Sequence, residues 1–221
     1  MTTLPPPLFN NSSSLERHAV AVMGAAADWD APGVTWIWAQ NGIFKRGRTP
    51  ELAIQVRVGN APRVPGLQSL LPFVRWSGVS GRLPGGLLPL ILGHARDARS
   101  GHIGSPIEQQ YFVLQPEPGR FVVRRPRQDA RAARVSYQMP DGATILVDVH
   151  SHHSMPAYFS STDDQDDTGL SVSVVIGDLF RWPQIRCRLN CYGHRQEVPA
   201  LALFDTVAPF NDVAGHAHAD A

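Results

Sequence analysis

Residues 144–177 read TILVDVHSHHSMPAYFSSTDDQDDTGLSVSVVIG, and this stretch decides how the whole fold is interpreted. It begins and ends with strongly apolar runs, Ile145–Val149 and Val172–Ile176, which are typical of strands buried on both faces of a sheet. The segment between them, residues 151–168, is polar and rich in small side chains. We therefore expect two central strands, with a loop that leaves the first and returns to the second.

Two histidines follow the first of these strands, at positions 150 and 152. Because strand side chains repeat every two residues, His150 and His152 can aim both imidazoles at one ion if the strand continues through them. Asp163, carried back by the loop, offers a carboxylate as a third ligand. Zinc favours nitrogen, sulfur or oxygen ligands in tetrahedral sites, and a catalytic site keeps one position for water. The pattern predicts one catalytic Zn²⁺ ion held by these three side chains.

The loop between the two strands leaves two points open. Asp163 is chosen by its spacing alone, because other aspartates follow closely, and Asp164 stays open as the alternative ligand. Ser160 lies three residues before Asp163, where we expect its hydroxyl to be free beside the metal. The spacing S-x-x-D is also the signature of a helical capping box. Residues 164–169 are poor helix formers, so we predict a loop here rather than a helix.

On either side of this stretch, the sequence predicts one helix and a series of further strands. Apolar residues at helical spacing predict a helix over residues 85–99, with Pro89 in its first turn, where a missing N–H is tolerated. An Asn41-Gly42 turn between two apolar runs predicts a hairpin. The predicted strands are 35–39, 43–44, 53–58, 107–115, 121–125, 134–139, 144–149, 170–177, 184–191 and 199–204.

These elements predict an α+β fold, or an α/β/α-like arrangement of three layers, around a mostly β core. Residues 1–14 are rich in Pro, Asn and Ser and are expected to be a disordered tail. Residues 15–82 form an N-terminal β-rich region that ends in a loop-rich connector. Residues 83–206 are expected to carry the metal site, and residues 207–221 are expected to be a flexible C-terminal tail.

Composition and charge narrow the classes of partner and location. The chain has 221 residues, 20 basic and 19 acidic, for a net charge of +1, which gives no general attraction to nucleic acid or anionic membrane. The arginines of residues 120–134 fit solvated loops, so nucleic acid is an unlikely partner. No secretory signal or apolar run of about 20 residues is evident, which predicts a cytoplasmic protein without a membrane span. Cys187 and Cys191 are read as buried thiols rather than as a second zinc site with His194.

The pattern H-[S/T]-H-x7-S-x-x-D, matched from His150 to Asp163 without a gap, resembles the metal signature of the JAMM/MPN+ metalloproteases. That family also places a glutamate upstream, at the start of the strand after the first helix, and Glu108 occupies this place. The resemblance covers roughly residues 83–206 and implies an MPN/JAB-type, cytidine-deaminase-like core. One departure is His153, which stands where the family usually has proline, and we expect it to be a flanking residue.

The resemblance implies a mechanism of amide hydrolysis without a covalent intermediate. Zinc lowers the pKa of a bound water to about 7. Glu108 would act as the general base and then pass the proton to the leaving amine, and Ser160 would hydrogen-bond the developing oxyanion. The rivals for the base fit worse, because Glu51 precedes the connector and Glu117 lies in a Pro-Glu-Pro turn.

The resemblance also implies a substrate class and a partner. The bond is expected to be a peptide or isopeptide, possibly of a ubiquitin-like protein. More narrowly, the chain resembles a component of the bacterial PRTRC cassette, which also encodes a ThiF/E1-like protein, a possible partner. Two alternatives stay open: a catalytically silent binding or scaffold module of the same fold, and a different zinc amidohydrolase.

Overall fold

The computed structural model describes residues 16–22, 32–98, 107–131, 134–137 and 144–214. The predicted disordered tail, residues 1–14, lies outside these ranges. Within them, no helix combines the length and the apolar character needed to cross a membrane. The fold is mostly β-sheet with few helices, as the α+β prediction requires.

The N-terminal region forms a five-stranded sheet in chain order. Its first two strands pair in parallel and the others are antiparallel. The predicted Asn41-Gly42 turn joins the second and third strands. One expectation was wrong, because the connector contains the fifth strand, which pairs with the fourth. The strands are β1 (Glu16–Val20), β2 (Gly33–Ala39), β3 (Gly42–Arg48), β4 (Leu52–Gly59) and β5 (Phe73–Trp76).

The long helix α1 (Leu87–Asp97) lies within the predicted range of 85–99. Pro89 stands in its first turn, where no intrahelical N–H bond is lost. The side chains that α1 buries recur at helical spacing and pack on the main sheet; they are Leu87, Leu88, Ile91, Leu92 and Ala95.

The main sheet has seven strands, and its centre is the pair that the opening stretch of sequence predicted. The strands of this part of the chain are β6 (Gln109–Glu117), β7 (Arg120–Arg124), β8 (Gln128–Arg131), β9 (Arg134–Tyr137), β10 (Thr144–Ser151), β11 (Leu170–Gly177), β12 (Gln184–Cys191), β13 (His194–Val198) and β14 (Asn211–Asp212). In the main sheet, β10 and β11 are parallel neighbours, and β6 flanks β10 on the other side in the antiparallel sense. The order is β13-β12-β11-β10-β6-β7, with β14 beside β12. β8 and β9 pair with each other in a separate antiparallel sheet.

Two predicted segments differ from the structure. The predicted loop after β10 contains a short helix, α2 (Ser161–Asp166). The predicted strand 199–204 is instead a 3-10 turn at Ala200–Ala202, and the strand at this edge is β13, just before it. A short apolar run does not by itself distinguish a strand from a buried helical turn. The buried side chains here are Ala200, Leu203 and Phe204, a spacing that suits a turn.

The larger of the two hydrophobic clusters among the described residues spans both sheets, and the smaller one lies within the N-terminal region. Ile54 and Val56 of β4 belong to the same buried cluster as α1 and the main sheet. Trp76 of β5 is also buried in it and donates its indole N–H to the carbonyl oxygen of Leu146, at 2.9 Å. The predicted flexible tail begins inside this core, because Phe210 is buried and β14 pairs with β12; residues 215–221 lie outside the described ranges.

Candidate metal centre

The candidate site lies where β10 ends. His150 is the seventh residue of this strand and sits between Gln110 of β6 and Val175 of β11. Glu108 directly precedes β6, whose pairing with β10 ends at Gln109 and Ser151. One further step along this antiparallel register brings Glu108 beside His152. The sheet therefore delivers two histidines and a glutamate to one edge, although 42 residues separate Glu108 from His150 in the chain.

Three of the predicted ligands converge. The Nε2 atoms of His150 and His152 are 3.2 Å apart, and His150 Nε2 lies 3.5 Å from Oδ1 of Asp163. One ligand atom from each residue falls within 4.8 Å of the others. Two nitrogens that bind one tetrahedral zinc at 2.0–2.1 Å stand about 3.3 Å apart. The three side chains could therefore hold a metal ion, and the spacing of the two nitrogens is compatible with zinc.

A hydrogen bond orients the ring of His152. Its Nδ1 lies 3.2 Å from the carbonyl oxygen of Pro156, which can only accept, so Nδ1 carries the proton. The lone pair of the neutral ring is then on Nε2, the atom that faces His150. Metal-bound histidines commonly have this support from a carbonyl or carboxylate. The ring of Tyr158 packs edge-on against His152, with centroids 4.5 Å apart.

The loop that supplies Pro156 folds tightly over the end of β11. His153 has a left-handed φ of 35°, and its carbonyl oxygen accepts the N–H of Leu179 at 2.7 Å. Gly177 lies so close to this loop that a Cβ there would overlap the backbone of Pro156 and Ala157. The missing side chain at Gly177 therefore allows the close approach of the loop that orients His152.

Burial keeps both histidines in the form that binds metal. Desolvation lowers the pKa of His150 to about 4, against the opposing attraction of Asp163. Desolvation also lowers the pKa of His152, although its bond to Pro156 works in the other direction. Both imidazoles are neutral at pH 7, and neutral imidazole is the metal-binding form.

Glu108 is poised for proton transfer near neutral pH. Its pKa is raised to about 7, first by burial and then by repulsion from the Asp163 carboxylate. A general base works best when its pKa lies near the working pH. The rival glutamates are remote: Glu117 is exposed at the other end of β6 beside Arg120, and Glu51 is exposed in the turn before β4.

Ser160 and Asp163 form a capping box at the start of α2. The Ser160 N–H and hydroxyl both donate to Oδ2 of Asp163, at 2.6 and 2.7 Å, and the Asp163 N–H donates to the hydroxyl at 3.3 Å. Two sequence predictions were therefore wrong: the segment is helical, and the Ser160 hydroxyl is not free. Because Oδ2 is held by Ser160, Oδ1 is the oxygen turned toward His150.

The neighbouring aspartates have other partners. Asp164 accepts from Arg188 at 2.6 Å and Asp167 accepts from the same arginine at 2.7 Å. The geometry thus brings Asp163, and not Asp164, to the histidines. Cys187 and Cys191 are free, buried thiols, as predicted.

A comparison with known families agrees with this geometry. Residues 90–188 match the family described as prokaryotic homologs of the JAB domain. The matched segment runs from α1 to β12 and includes Glu108, His150, His152, Ser160 and Asp163. This match, together with a mostly β fold with few helices, supports a relation to the JAMM/MPN family. The curated proteins contain no significant match to the chain.

Proposed function

We propose that the protein is a zinc-dependent metallopeptidase of the JAMM type, which hydrolyses a peptide or isopeptide bond. The observation that carries this proposal is the convergence of His150, His152 and Asp163, with two imidazole nitrogens 3.2 Å apart. The match of residues 90–188 to the JAB homologs supports it. The burial of Glu108 beside Asp163 adds a base with a pKa of about 7.

The side chains have separate tasks in the proposed reaction. When bound by His150, His152 and Asp163, zinc supplies a Lewis acid that polarises the scissile carbonyl and acidifies water. Glu108 accepts a proton from the attacking water, whose oxygen adds to the carbonyl carbon. Glu108 then gives the proton to the amine nitrogen as the C–N bond breaks, which leaves a carboxylic acid and an amine.

Ser160 has two roles in the proposal. Its hydroxyl donates to Asp163 in the structure, which holds the third ligand. We also propose that it donates to the developing oxyanion, as the family resemblance implies, for which the hydroxyl turns from Asp163 toward the substrate.

The substrate class follows from the resemblance of the sequence. We propose a ubiquitin-like protein, cleaved at or near its C-terminus, in a bacterial PRTRC-type system with a ThiF/E1-like partner. A cytoplasmic location and a cytidine-deaminase-like core belong to the same proposal.

The test measures zinc content and hydrolysis for three versions of the full chain. We expect the natural protein to bind one zinc ion and to cleave ubiquitin-like C-terminal amides or conjugates. Glu108→Gln should keep the zinc and lose at least about 100-fold in kcat, since general-base catalysis contributes about 100- to 10,000-fold. Glu117→Gln, at the exposed end of the same strand, is the matched control and should retain full activity.

Other results of the zinc and hydrolysis measurements distinguish the alternative functions. A protein that binds no zinc, even when zinc is added, overturns the proposed function. Zinc binding with an active Glu108→Gln variant shows that another group is the base. Zinc binding without cleavage of any protein amide favours the silent module, whereas cleavage of a small amide alone favours a different amidohydrolase.

A further inference from the structure

Arg188 is a buried arginine that contacts the chain on both sides of Asp163. It lies on β12 opposite Ser173 of β11, and only 5% of its side chain is exposed. One guanidinium nitrogen donates to Asp164 at 2.6 Å and the other to Asp167 at 2.7 Å. The guanidinium carbon also lies 3.9 Å from the centre of the Phe159 ring. One side chain therefore contacts the residue before Ser160 and two carboxylates that follow Asp163.

The helix that carries Asp163 has little else to fix its position. α2 has six residues and buries none of its own side chains. Helices shorter than about 12 residues are marginal in water, and most helical stability in proteins comes from packing of an apolar face. Since α2 lacks such a face, its placement has to come from its cap and from polar contacts with the sheet.

The polar contacts reach from α2 into the sheet. Asp167 accepts from the Ser173 hydroxyl at 2.8 Å as well as from Arg188, and Asn190 donates to Ser173 at 2.8 Å. Arg195 of β13 adds a bond to the backbone oxygen of Asp164 at 2.8 Å. Arg188 is the central member of this group and is itself buried, and its planar guanidinium group can bridge two carboxylates at once.

We propose that Arg188 is a positioning residue for the metal centre: it holds α2 against the sheet so that Oδ1 of Asp163 faces His150 and His152. The inference rests on the proposed metal site. Arg188 does not belong to the cluster of metal-binding atoms, so it acts through Asp164, Asp167 and Phe159. Removal of a group that directly orients a metal ligand typically changes metal affinity 10- to 100-fold, and Arg188 orients Asp163 through its neighbours.

The test compares Arg188→Gln with Arg186→Gln in the full chain. Arg186 is the matched control because it lies two residues earlier on the same strand and pairs with Glu197 and the carbonyl oxygen of Val213, away from α2. Zinc affinity is measured by competition with a chromophoric chelator, and the visible spectrum of the cobalt-substituted protein reports the coordination geometry. Thermal unfolding without metal measures the purely structural cost of each change.

Arg188→Gln should weaken zinc binding about 10- to 100-fold and alter the cobalt spectrum. Arg186→Gln should lower the melting temperature but leave zinc affinity within about twofold and the spectrum unchanged. Arg188→Lys keeps the positive charge but loses the planar guanidinium group. It should therefore retain only part of the natural zinc affinity. If Arg188→Gln fails to fold, Asp167→Asn is used instead. It removes the ion pair between Arg188 and Asp167 and should still weaken zinc binding several-fold.

Two outcomes separate this inference from the function on which it rests. A natural protein that binds zinc, with an Arg188→Gln variant of equal affinity and spectrum, overturns the positioning role alone. If Arg188→Gln does not fold, an Asp167→Asn variant that binds zinc as tightly as the natural protein overturns the positioning role in the same way. A natural protein that binds no zinc overturns the proposed function and this inference with it.

Discussion

At the scale of single residues, burial shifts the pKa values of the histidines and of the glutamate of the site in opposite directions. Desolvation lowers the pKa of His150 to about 4 and raises that of Glu108 to about 7. Both shifts favour the neutral form, because a charged group loses hydration when it is buried. A neutral imidazole binds metal, and a carboxyl that titrates near pH 7 exchanges protons with water and an amine.

The raised pKa of Glu108 predicts a cost to stability in the metal-free protein. The carboxyl has a pKa of 4.5 when unfolded and about 7 when folded, so the folded state binds more protons between these values. Stability contributed by this group therefore falls as pH rises from 4.5 through 7. In chelator, Glu108→Gln should melt at a higher temperature than the natural protein at pH 8, and the difference should shrink toward pH 4.5.

The melting curves of both proteins across this pH range provide the check. His150 is present in both, so its own loss of stability on the acid side, as the unfolded ring gains a proton, cancels in the comparison. A Glu108→Gln variant that melts lower than the natural protein at pH 8 would contradict the burial of this carboxyl.

At the scale of the element, one motif in α2 serves both as a helix cap and as the source of a candidate metal ligand. The spacing of Ser160 and Asp163 makes a helical capping box, and the same two residues present a carboxylate oxygen to His150. The helix therefore begins where the metal ligand is needed. Aspartates in the first turn are also favoured by the positive end of the helix dipole, which supports so short a helix.

Replacing the cap tests what Ser160 does. Ser160→Ala removes the hydroxyl that donates to Asp163 and should cost about 1 kcal/mol of stability. Because Asp163 is then less fixed, zinc affinity should fall about 10-fold. Ser160→Thr is the control, since it keeps the hydroxyl and tolerates the extended backbone at this position (φ −86°, ψ 169°). Chemical denaturation and zinc competition measure the two effects.

The kinetics of Ser160→Ala separate its two proposed roles. Unchanged zinc affinity with a loss of kcat would show that the hydroxyl serves the oxyanion and does not hold the ligand. Loss of affinity, with kcat restored at saturating zinc, would show the opposite.

At the scale of the whole molecule, β4 and β5 of the N-terminal sheet share a hydrophobic core with the sheet that carries the site. Gly47 of β3 lies against β11 and β12, where a Cβ would approach Leu170 to 2.5 Å, Tyr192 to 2.8 Å and Cys191 to 3.1 Å. Lys45 of the same strand donates to the carbonyl oxygen of Tyr192 at 2.8 Å. These contacts brace the β12–β13 hairpin, from which Arg188 and Arg195 reach α2.

A larger residue at Gly47 should therefore destabilise the molecule as a unit. Gly47→Ala is expected to cost about 1–3 kcal/mol, the usual penalty for overpacking. Unfolding should remain a single transition by tryptophan fluorescence and by far-ultraviolet circular dichroism, because Trp76 lies in the common core. Gly59→Ala is the matched control, since a Cβ there meets only Ile43 at 3.9 Å. Two separate transitions would show that the sheets unfold independently.

Much of the fold could be predicted because its signals are local. The apolar runs on either side of residues 151–168 indicated the two central strands, and α1 followed from helical spacing of leucines and isoleucine. The strand expected at 199–204 was wrong because a short buried turn has the same composition. The helix at Ser160 was missed because α2 depends on Arg188, which comes 22 residues after its last residue.

The residues alone predict three candidate ligands, namely two histidines at the end of a strand and an aspartate at a set distance from them. The upstream glutamate was implied by the resemblance to the family. The chemical types and spacings of the ligands are written in the chain, and spacing along a strand dictates which side chains share a face. The folded structure decided which aspartate faces the histidines, which nitrogen of His152 carries the proton and what holds α2. These depend on Pro156, Arg188 and the β6–β10 register, and such long-range contacts arise only when the sheet assembles.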